Sequence, residues 1–380
     1  MQIKGNTRPF MYGVAVDGSH FIGRVKEQAR LAANMRAGIS TILIAPRRYG
    51  KTSLVNRVCD AVACDDILVV KLDAFACRDE YDFYNMFAEG VLHQTSSMFD
   101  EWRENARSFM ERLVPKISFS SDASQEYSVS LGITPRTHKP EEILDLPQKI
   151  AEKKNCHIVV CIDEFQQIGE MTDSVSIQKR LRSVWQHQTL VSYCLYGSKK
   201  HLMTTLFQSR SYPFYKFGDT MYLDKIEVED WVPYLRKRYE ENGLELSVDM
   251  AKDICNRVQL HPSYTQQLAW ITMLNAQEKV STETIDDSVR DLLNDNDALF
   301  AQQTENLTKY QINFLRAILG GVEEGYATTK IRDVYDLGTS SNIARIKTAL
   351  TEREIIDTDG ARCRIADPVM ELWLRKILKC

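Results

Sequence analysis

The chain has 380 residues, and its 48 lysines and arginines against 52 aspartates and glutamates give a formal charge of −4. This length predicts about two to three domains, and a content of 44% hydrophobic and 26% charged residues excludes a collagenous or largely disordered chain. No apolar run approaches the roughly 20 residues that cross a bilayer, and residues 1–10 hold no apolar stretch of signal-peptide length, so we expect a cytoplasmic protein with no membrane partner.

Between Gly13 and about Leu223, short apolar runs alternate with longer amphipathic stretches, the pattern of parallel strands connected by helices. All but the last run are nearly continuous in apolar residues, which is typical of strands buried on both faces. The sequence therefore predicts an α/β fold with an open, doubly wound parallel sheet. The predicted strands are 41–45, 67–72, 158–162, 191–196 and 220–223.

Cysteines occur inside several of these runs. The chain has nine of them, an odd number, and no C-x-x-C pair. Because a thiol such as that of Cys161 or Cys194 packs like a small hydrophobic side chain, the pattern favours core packing over a zinc site or a disulfide framework.

The first strand leads directly into residues 45–52, Ala-Pro-Arg-Arg-Tyr-Gly-Lys-Thr, and then into an amphipathic helix. The stretch matches the phosphate-binding loop pattern G-x-x-x-x-G-K-[ST], with alanine in place of the first glycine. In such a loop the backbone N–H groups surround the β-phosphate, the lysine reaches the β- and γ-phosphates, and the hydroxyl ligates Mg²⁺. The predicted nucleotide-binding residues of the loop are Arg47, Arg48, Tyr49, Gly50, Lys51, Thr52 and Ser53.

The first loop position is the departure from the pattern. Gly50 lets the backbone approach a phosphate closely. Ala45 would weaken the loop if its position required a positive φ, so the sequence leaves the nucleotide affinity open.

Residues 118–140 are rich in serine and polar side chains, with a weak two-residue alternation of apolar positions. This composition predicts a surface insertion rather than a strand of the main sheet, and we assign it no chemistry.

The run at residues 158–162 ends in two carboxylates, Asp163 and Glu164. A buried strand with an aspartate at its carboxyl end predicts a magnesium ligand, and the next glutamate is placed to polarise an attacking water. Ligands bind outside the carboxyl ends of parallel strands, where the phosphate loop also lies, so the two motifs are expected to converge. An Asp-Glu pair at a strand end is otherwise a common solvated turn, but its pairing with Lys51 and Thr52 favours Thr52 and Asp163 as Mg²⁺ ligands.

Beyond residue 228 the pattern becomes helical. The predicted helices are 229–242, 247–259, one opened by Pro262, one that starts near Ser281, and then 310–319, 328–335 and 340–353. A hairpin follows at the turn Asp359-Gly360, and three helices with a hairpin make a winged helix-turn-helix. We therefore divide the chain into a P-loop ATPase core at 1–228, a helical lid at 229–304 and a winged-helix domain at 305–380.

In combination these segments resemble the archaeal-type ATPases, a group in the STAND branch of the AAA+ proteins that also occurs in bacteria. The resemblance covers nearly the whole chain and implies an AAA+-like P-loop NTPase sheet with a helical lid and a C-terminal winged helix. It also implies ATP or ADP with Mg²⁺ as cofactors. It is carried by Phe-Ile-Gly-Arg at 21–24, the Pro-Arg-Arg-Tyr-Gly-Lys-Thr-Ser loop, Ile-Asp-Glu-Phe-Gln at 162–166, Tyr-Gly-Ser at 196–198 and Ile-Ala-Asp-Pro at 365–368.

By this resemblance, Phe21, Gly23 and Arg24 match the segment that packs near the base and ribose. Taken alone, Gly23-Arg24 is simply the start of a helix, and Val25 stands where the family often has an acidic residue. Pro262 matches a lid position that contacts the nucleotide, although a proline in the first turn of a helix explains it nearly as well.

The resemblance also matches Ser198 to a residue that senses the γ-phosphate or positions water, so we place it with Glu164 as catalytic. A helix N-cap explains Ser198 equally well. The transition-state arginine stays unassigned: Arg210 lies nearby, and Lys216 stands where the family often has arginine. Because lysine is a point charge rather than a planar fork, that replacement would weaken hydrolysis.

The winged helix has two interpretations. Arg345 and Lys347 on its third helix and Arg362 on the hairpin are suited to phosphate contacts at a DNA groove. However, residues 308–380 hold 12 basic and 10 acidic residues, and 12 − 10 = +2 is weak for DNA affinity. DNA and a protein partner therefore both stay open, with the protein favoured.

These observations predict a slow Mg-ATP-dependent ATPase that acts as a regulatory switch coupled to the winged helix. The alternative is a non-hydrolysing, nucleotide-stabilised DNA-binding or scaffold protein, which Ala45 and Lys216 favour and the Lys51-Thr52 and Asp163-Glu164 pairs oppose. A small-molecule kinase shares the loop, but a lid followed by a winged helix offers no acceptor pocket. A nucleotide-dependent homo-oligomer is a further partner that the sequence leaves open.

Overall fold

The computed structural model describes residues 8–96 and 139–379. The chain divides into two compact units, Arg24–Asp224, which we call the sheet unit, and Met1–Gly23 with Lys225–Cys380, which we call the helical unit. The three-domain division drawn from the sequence does not coincide with these two units, because it places residues 1–23 with the core, and it stays a prediction.

The sheet unit alternates strands and helices as the apolar pattern indicates. Its elements are α1 (Val25–Arg36), β1 (Thr41–Ile44), α2 (Lys51–Val62), β2 (Ile67–Asp73), α3 (Glu80–Ser96), α4 (Pro140–Leu144), α5 (Leu146–Lys154), β3 (His157–Asp163), α6 (Gln167–Glu170), α7 (Ser174–Trp185), β4 (Val191–Gly197), α8 (Lys200–Gln208) and β5 (Asp219–Tyr222). The predicted insertion lies outside the described residues as far as residue 138, and its last residue, Pro140, begins α4.

The five strands form one sheet in the order β2-β3-β4-β1-β5, and every neighbouring pair is parallel. The predicted α/β sheet is therefore confirmed. Strands β1, β3 and β4 occupy its centre and are buried almost throughout. The order places the carboxyl end of β4 between those of β1 and β3, the two strands that carry the loop and the carboxylates.

The prediction that β2 is buried on both faces was wrong. The strand lies at an edge of the sheet, where Leu68, Val70 and Leu72 are buried while Lys71 and Asp73 face solvent. Lys71 interrupts its apolar run and Asp73 follows it, and an edge strand pairs on one side only.

The cysteines pack in the protein interior, as the sequence predicts. Of the cysteines in the described part of the chain, all but Cys64 are buried. The buried Sγ atoms of Cys59 on α2 and Cys161 on β3 lie 3.5 Å apart, where the helix packs on the sheet.

The helical unit follows the predicted element order closely. It contains a short 3-10 helix (Gly18–His20), then α9 (Val228–Glu241), α10 (Val248–Arg257), α11 (Pro262–Asn275), α12 (Thr282–Thr304), α13 (Lys309–Leu319), α14 (Thr329–Tyr335), α15 (Ser340–Glu352), β6 (Ile356–Asp359), β7 (Arg362–Ile365) and α16 (Pro368–Leu378).

Polar caps explain where several of these helices begin. Ser247 accepts a hydrogen bond from the backbone N–H of Met250, and Ser281 with Thr284 forms a reciprocal capping box at the start of α12. Such caps satisfy backbone N–H groups that have no partner within the helix.

One hydrophobic core runs through the helical unit, from Trp231 on α9 to Trp373 on α16. The amino-terminal segment belongs to it, because Phe10 lies in this core and Arg238 donates hydrogen bonds to the carbonyl and hydroxyl oxygens of Ser19. The described part of this segment, residues 8–23, therefore folds with the helices after residue 224.

Helices α13 to α15 followed by the hairpin β6-β7 give the predicted winged helix-turn-helix order. The hairpin is antiparallel with Ile356 opposite Ile365, and Gly360 takes a positive φ of 60° in its turn. Helix α16 was not predicted from the sequence; Asp367 caps it, and Trp373 donates to Asp297 on α12. Among the described residues, no helix is long and apolar enough to cross a membrane.

Candidate functional site

The loop between β1 and α2 has its unusual backbone at two positions. Arg48 has a φ of 63° and Gly50, which precedes α2, has a φ of 84°. Ala45 is buried and is not among the residues with positive φ. Alanine is therefore accommodated at the first loop position without backbone strain, which removes that reason to expect a weak loop.

Helix α2 begins at Lys51, so the first N–H groups of a twelve-residue helix and the positive end of its dipole lie at the loop. The Lys51 side chain is 6% exposed, and its Nζ donates to the carbonyl of Pro46 at 3.2 Å. The ammonium group thus lies against the loop itself. This is the arrangement of a site for phosphate anions.

The two predicted metal ligands lie together. The hydroxyl of Thr52 donates to Oδ2 of Asp163 at 2.7 Å, which joins the start of α2 to the end of β3. A hydroxyl and a carboxylate side by side are the hard oxygen ligands that Mg²⁺ prefers, so the donor set fits this ion.

The surroundings of Asp163 disfavour the ionised form of its carboxyl group. Burial raises its pKa to about 6, against the lowering effect of hydrogen bonds from Thr52 and from the backbone N–H of Glu164. A carboxylate that is costly to keep ionised in the protein alone gains from a nearby cation.

Glu164 lies at the turn after β3, with a φ of 50°. Its Oε2 accepts a hydrogen bond from Oγ of Ser198 at 3.0 Å and a second one from Nε2 of Gln166. The structure therefore brings together the two residues predicted to be catalytic. The sequence alone assigns no role to Gln166, since nothing in the spacing shows which way its amide points.

Ser198 does not cap the helix that follows it. Helix α8 begins at Lys200, its N-cap is Lys199, and no side chain closes that end with a hydrogen bond. The Ser198 hydroxyl turns to Glu164 instead, and the residue is 9% exposed at the end of the central strand β4.

The buried side chain of Arg24 contacts the backbone of the phosphate loop. It is 6% exposed, and its guanidinium donates to the carbonyl of Tyr49 at 3.1 Å and to the carboxylate of Glu27 at 3.3 Å. Burial lowers the pKa of Arg24 from its usual value. The structure thus places this residue as a support of the loop, and it also precedes α1 as the sequence indicated.

The other loop residues differ in exposure. Arg47 and Arg48 are exposed, Tyr49 is half-buried, and Ser53 is buried in the first turn of α2.

Three predicted nucleotide contacts lie in the helical unit. Pro262 is the first residue of α11, and the ring of His261 accepts from the N–H of Tyr264 as its cap, so the helix-start explanation is confirmed. Phe21 is half-buried. Gly23 has a φ of 59°, and a Cβ there would overlap the Asp230 carboxylate. A nucleotide role for these residues stays a prediction.

Arg210 and Lys216 were considered for stabilising the transition state, and no contact of either side chain with the phosphate loop is seen among the described residues. Arg210 is exposed, and exposed Lys216 has a φ of 53° with its ammonium 5.6 Å from the ring centroid of Tyr215.

The three winged-helix residues proposed for DNA contact differ in the contacts that they make within the protein. Lys347 donates to the carbonyl of Ala361 at 3.1 Å and lies 4.9 Å from the ring centroid of Tyr326, so it ties α15 to the hairpin. Arg362 lies 3.7 Å from the Glu323 carboxylate, while Arg345 is exposed on α15.

Comparison with solved structures gives matches along nearly the whole chain. A Walker-type ATPase of Pyrococcus abyssi shares 16% identity at a TM-score of 0.67, over 97% of this chain and 100% of that chain. The ORC2 protein of Aeropyrum pernix in its ADPNP and ADP complexes shares 14% identity at a TM-score of 0.59, over 99% of both chains. The ADP form of that protein gives 13% identity and a TM-score of 0.57, over 98% of both chains.

At these identities the likeness shows the fold, which is that of the P-loop ATPases. No family model matches the chain, and no curated protein matches it either.

Proposed function

From this fold and the site at the carboxyl ends of β1, β3 and β4, we propose that the protein binds Mg-ATP and hydrolyses it slowly. We also propose that its nucleotide state acts as a regulatory switch for the winged helix. The observation that carries the proposal is the 2.7 Å hydrogen bond between Thr52 and Asp163. It joins the phosphate loop to the acidic strand end, and Glu164 follows directly with its carboxylate on Ser198.

Each residue has a distinct role in this proposal. The backbone N–H groups of residues 47–52 bind the phosphates, and Lys51 moves from the Pro46 carbonyl to the β- and γ-phosphates. Thr52 and Asp163 hold Mg²⁺, which when bound neutralises charge on the phosphate oxygens. Glu164 accepts a proton from the attacking water, and Ser198 holds the carboxylate that does so.

Adenine nucleotides are the favoured ligands, because ADPNP and ADP are the ligands of the Aeropyrum pernix ORC2 structures that share the fold. Arg24 supports this site by fixing the Tyr49 carbonyl. Phe21, Gly23 and Pro262 are retained as nucleotide-binding residues of the proposal.

A second function, nucleotide binding without turnover in a scaffold or DNA-binding protein, is favoured by one observation. Lys216, in place of the arginine implied by the resemblance, is an exposed point charge that cannot form the bidentate contact of a guanidinium.

The experiment that tests the proposal measures ATP binding and single-turnover hydrolysis with magnesium present. The parent is compared with Lys51→Ala, with Glu164→Gln, and with Lys71→Ala, which removes an exposed lysine of β2 as a matched control. We expect Lys51→Ala to lose binding, Glu164→Gln to bind ATP without turnover, and the control to behave as the parent. A parent that binds ATP but never hydrolyses it supports the second function, and one that does not bind ATP contradicts both.

For the winged helix we propose a protein partner over DNA. Lys347 is held by the hairpin, and Arg362, although exposed, lies 3.7 Å from the Glu323 carboxylate, so two of the three cations already contact groups of the protein itself. Retention of DNA across a salt series, measured for the parent and Arg345→Ala, tests this choice. A steep salt dependence that becomes shallower in the variant would favour DNA, and light scattering of the same samples with ATP tests a homo-oligomer.

A further inference from the structure

Gln166 is a buried amide at the centre of the catalytic turn. It is 1% exposed, and its Nε2 donates to the same Oε2 of Glu164 that accepts from Ser198. Within the described part of the chain, Oε1 of Gln166 accepts no hydrogen bond. A buried amide oxygen without a partner costs free energy, so the contact on the other side of the amide has to compensate for it.

The backbone around this amide is fixed by packing. Phe165 lies between Glu164 and Gln166 in sequence, and its ring packs in an aromatic cluster, 5.5 Å from that of Phe214. Its backbone N–H donates to the carbonyl of Tyr196 at 3.0 Å, which joins the ends of β3 and β4. The main chain on both sides of Phe165 is therefore held in place.

Gly197 provides the space that the amide occupies. A Cβ built on Gly197 would overlap Oε1 of Gln166, and Gly197 does not have a positive φ. Glycine is thus needed here for space and not for backbone conformation. Because an ionised carboxylate only accepts hydrogen bonds, the amide must present its NH₂ to Glu164 and its oxygen to Gly197.

We propose that Gln166, seated against Gly197, is a positioning residue that fixes the Glu164 carboxylate for attack by water. The inference rests on the proposed ATPase function. Two donors on one oxygen, Ser198 and Gln166, restrict the torsions of a flexible glutamate and leave Oε1 as the oxygen that faces no protein donor in the described residues. Small displacements of a catalytic group are costly, since misplacement by about 1 Å can slow a reaction about a hundredfold.

The test uses two variants that remove the contact in different ways. Gln166→Met keeps the length of the side chain and removes the amide, whereas Gly197→Ala keeps the amide and fills its space. Gln167→Ala is the matched control, because Gln167 is the half-buried neighbour at the start of α6. We expect both variants to slow single-turnover ATP hydrolysis about tenfold while the ATP dissociation constant stays within about twofold, and the double variant to be no slower than either alone.

A second measurement does not depend on hydrolysis. In nucleotide-free protein labelled with ¹⁵N-glutamine, the side-chain amide signal of Gln166 is assigned by its loss in Gln166→Met. We expect this signal to exchange slowly with solvent, and to shift in both Glu164→Ala and Gly197→Ala.

Hydrolysis at the parental rate in both variants would overturn the proposal, as would an equal loss in Gln167→Ala. An amide signal that Glu164→Ala leaves unchanged would also overturn it. If Gln166→Met does not fold, Gly197→Ala decides. If the parent binds ATP without hydrolysing it, the proposed hydrolysis fails, and the amide signal alone decides whether Gln166 positions Glu164.

Discussion

Asp163 and Glu164 are neighbours in sequence, yet their carboxylates bond to different elements. Asp163 accepts from Thr52 on α2, whereas Glu164, turned by its positive φ, accepts from Ser198 after β4. In the proposed mechanism, Asp163 then holds the cation while Glu164 acts on the water. The separation arises from a single backbone turn, and it places two different chemistries within one dipeptide.

Asp163 makes the stability of the protein without magnesium and nucleotide depend on pH. Its folded pKa of about 6 lies above the usual value of 3.8, so the folded state binds this proton more tightly than the unfolded state. The contribution of Asp163 to stability is fully present below the unfolded pKa and is lost as the pH rises through about 6. We expect Asp163→Asn to raise the free energy of unfolding by about 1–2 kcal/mol at neutral pH, a value reduced for partial exposure, and by little under acidic conditions.

Urea unfolding of the parent and Asp163→Asn at both pH values checks this, with Asp60→Asn, an exposed carboxylate on α2, as the control. A variant that is no more stable than the parent at neutral pH would contradict it.

Arg24 supports the phosphate loop with two hydrogen bonds that a guanidinium group can make at the same time. The planar guanidinium contacts the Tyr49 carbonyl and the Glu27 carboxylate at once, which a lysine cannot do with the same geometry. We expect Arg24→Lys to raise the ATP dissociation constant about tenfold, because a hydrogen bond from a charged donor to the loop is lost. Titration calorimetry measures this affinity. Arg36→Ala, in the exposed last turn of α1, the helix that Arg24 precedes, serves as the control. An unchanged affinity in Arg24→Lys would show that the loop holds its shape without this contact.

Among the elements, α16 shows how one residue joins two helices. The carboxylate of Asp367 accepts from the backbone N–H groups of Val369 and Met370 and from the hydroxyl of Tyr264 on α11, at 2.6 Å. The Ile-Ala-Asp-Pro motif thus has a structural reason: its aspartate caps α16 and its proline begins the helix.

We expect Asp367→Ala to lower the free energy of unfolding by about 2–3 kcal/mol, because the helix cap is lost together with the hydrogen bond from the Tyr264 hydroxyl. Asp367→Asn, which can still cap the helix, should cost less. Urea unfolding distinguishes these variants, and Glu352→Ala at the exposed end of α15 is the control. Equal stability of Asp367→Ala and the control would refute the role of the cap.

For the whole molecule, the sequence predicted the parallel sheet, the loop, the acidic strand end and most helices, because apolar periodicity and capping residues are local signals. It did not predict that β2 lies at an edge, since strand order is a long-range property. The same limit applies to the site: Thr52 and Asp163 were expected to converge from strand topology, whereas the contacts of Arg24, Gln166 and Lys347 depend on side-chain directions that no spacing encodes.

Two compact units with separate hydrophobic cores make the switch testable on the intact chain. If ATP binding only stabilised its own site, protection from hydrogen exchange would increase around residues 41–62 and 157–170, through mass action on the folded sheet unit. A switch requires more, because the nucleotide must change the exchange of a segment that carries the output. We therefore expect Mg-ATP to alter exchange in residues 308–379 as well, and Lys51→Ala to abolish both effects. Mass-spectrometric hydrogen exchange on parent and variant measures this. Protection confined to the sheet unit would leave nucleotide binding intact and eliminate the regulatory switch.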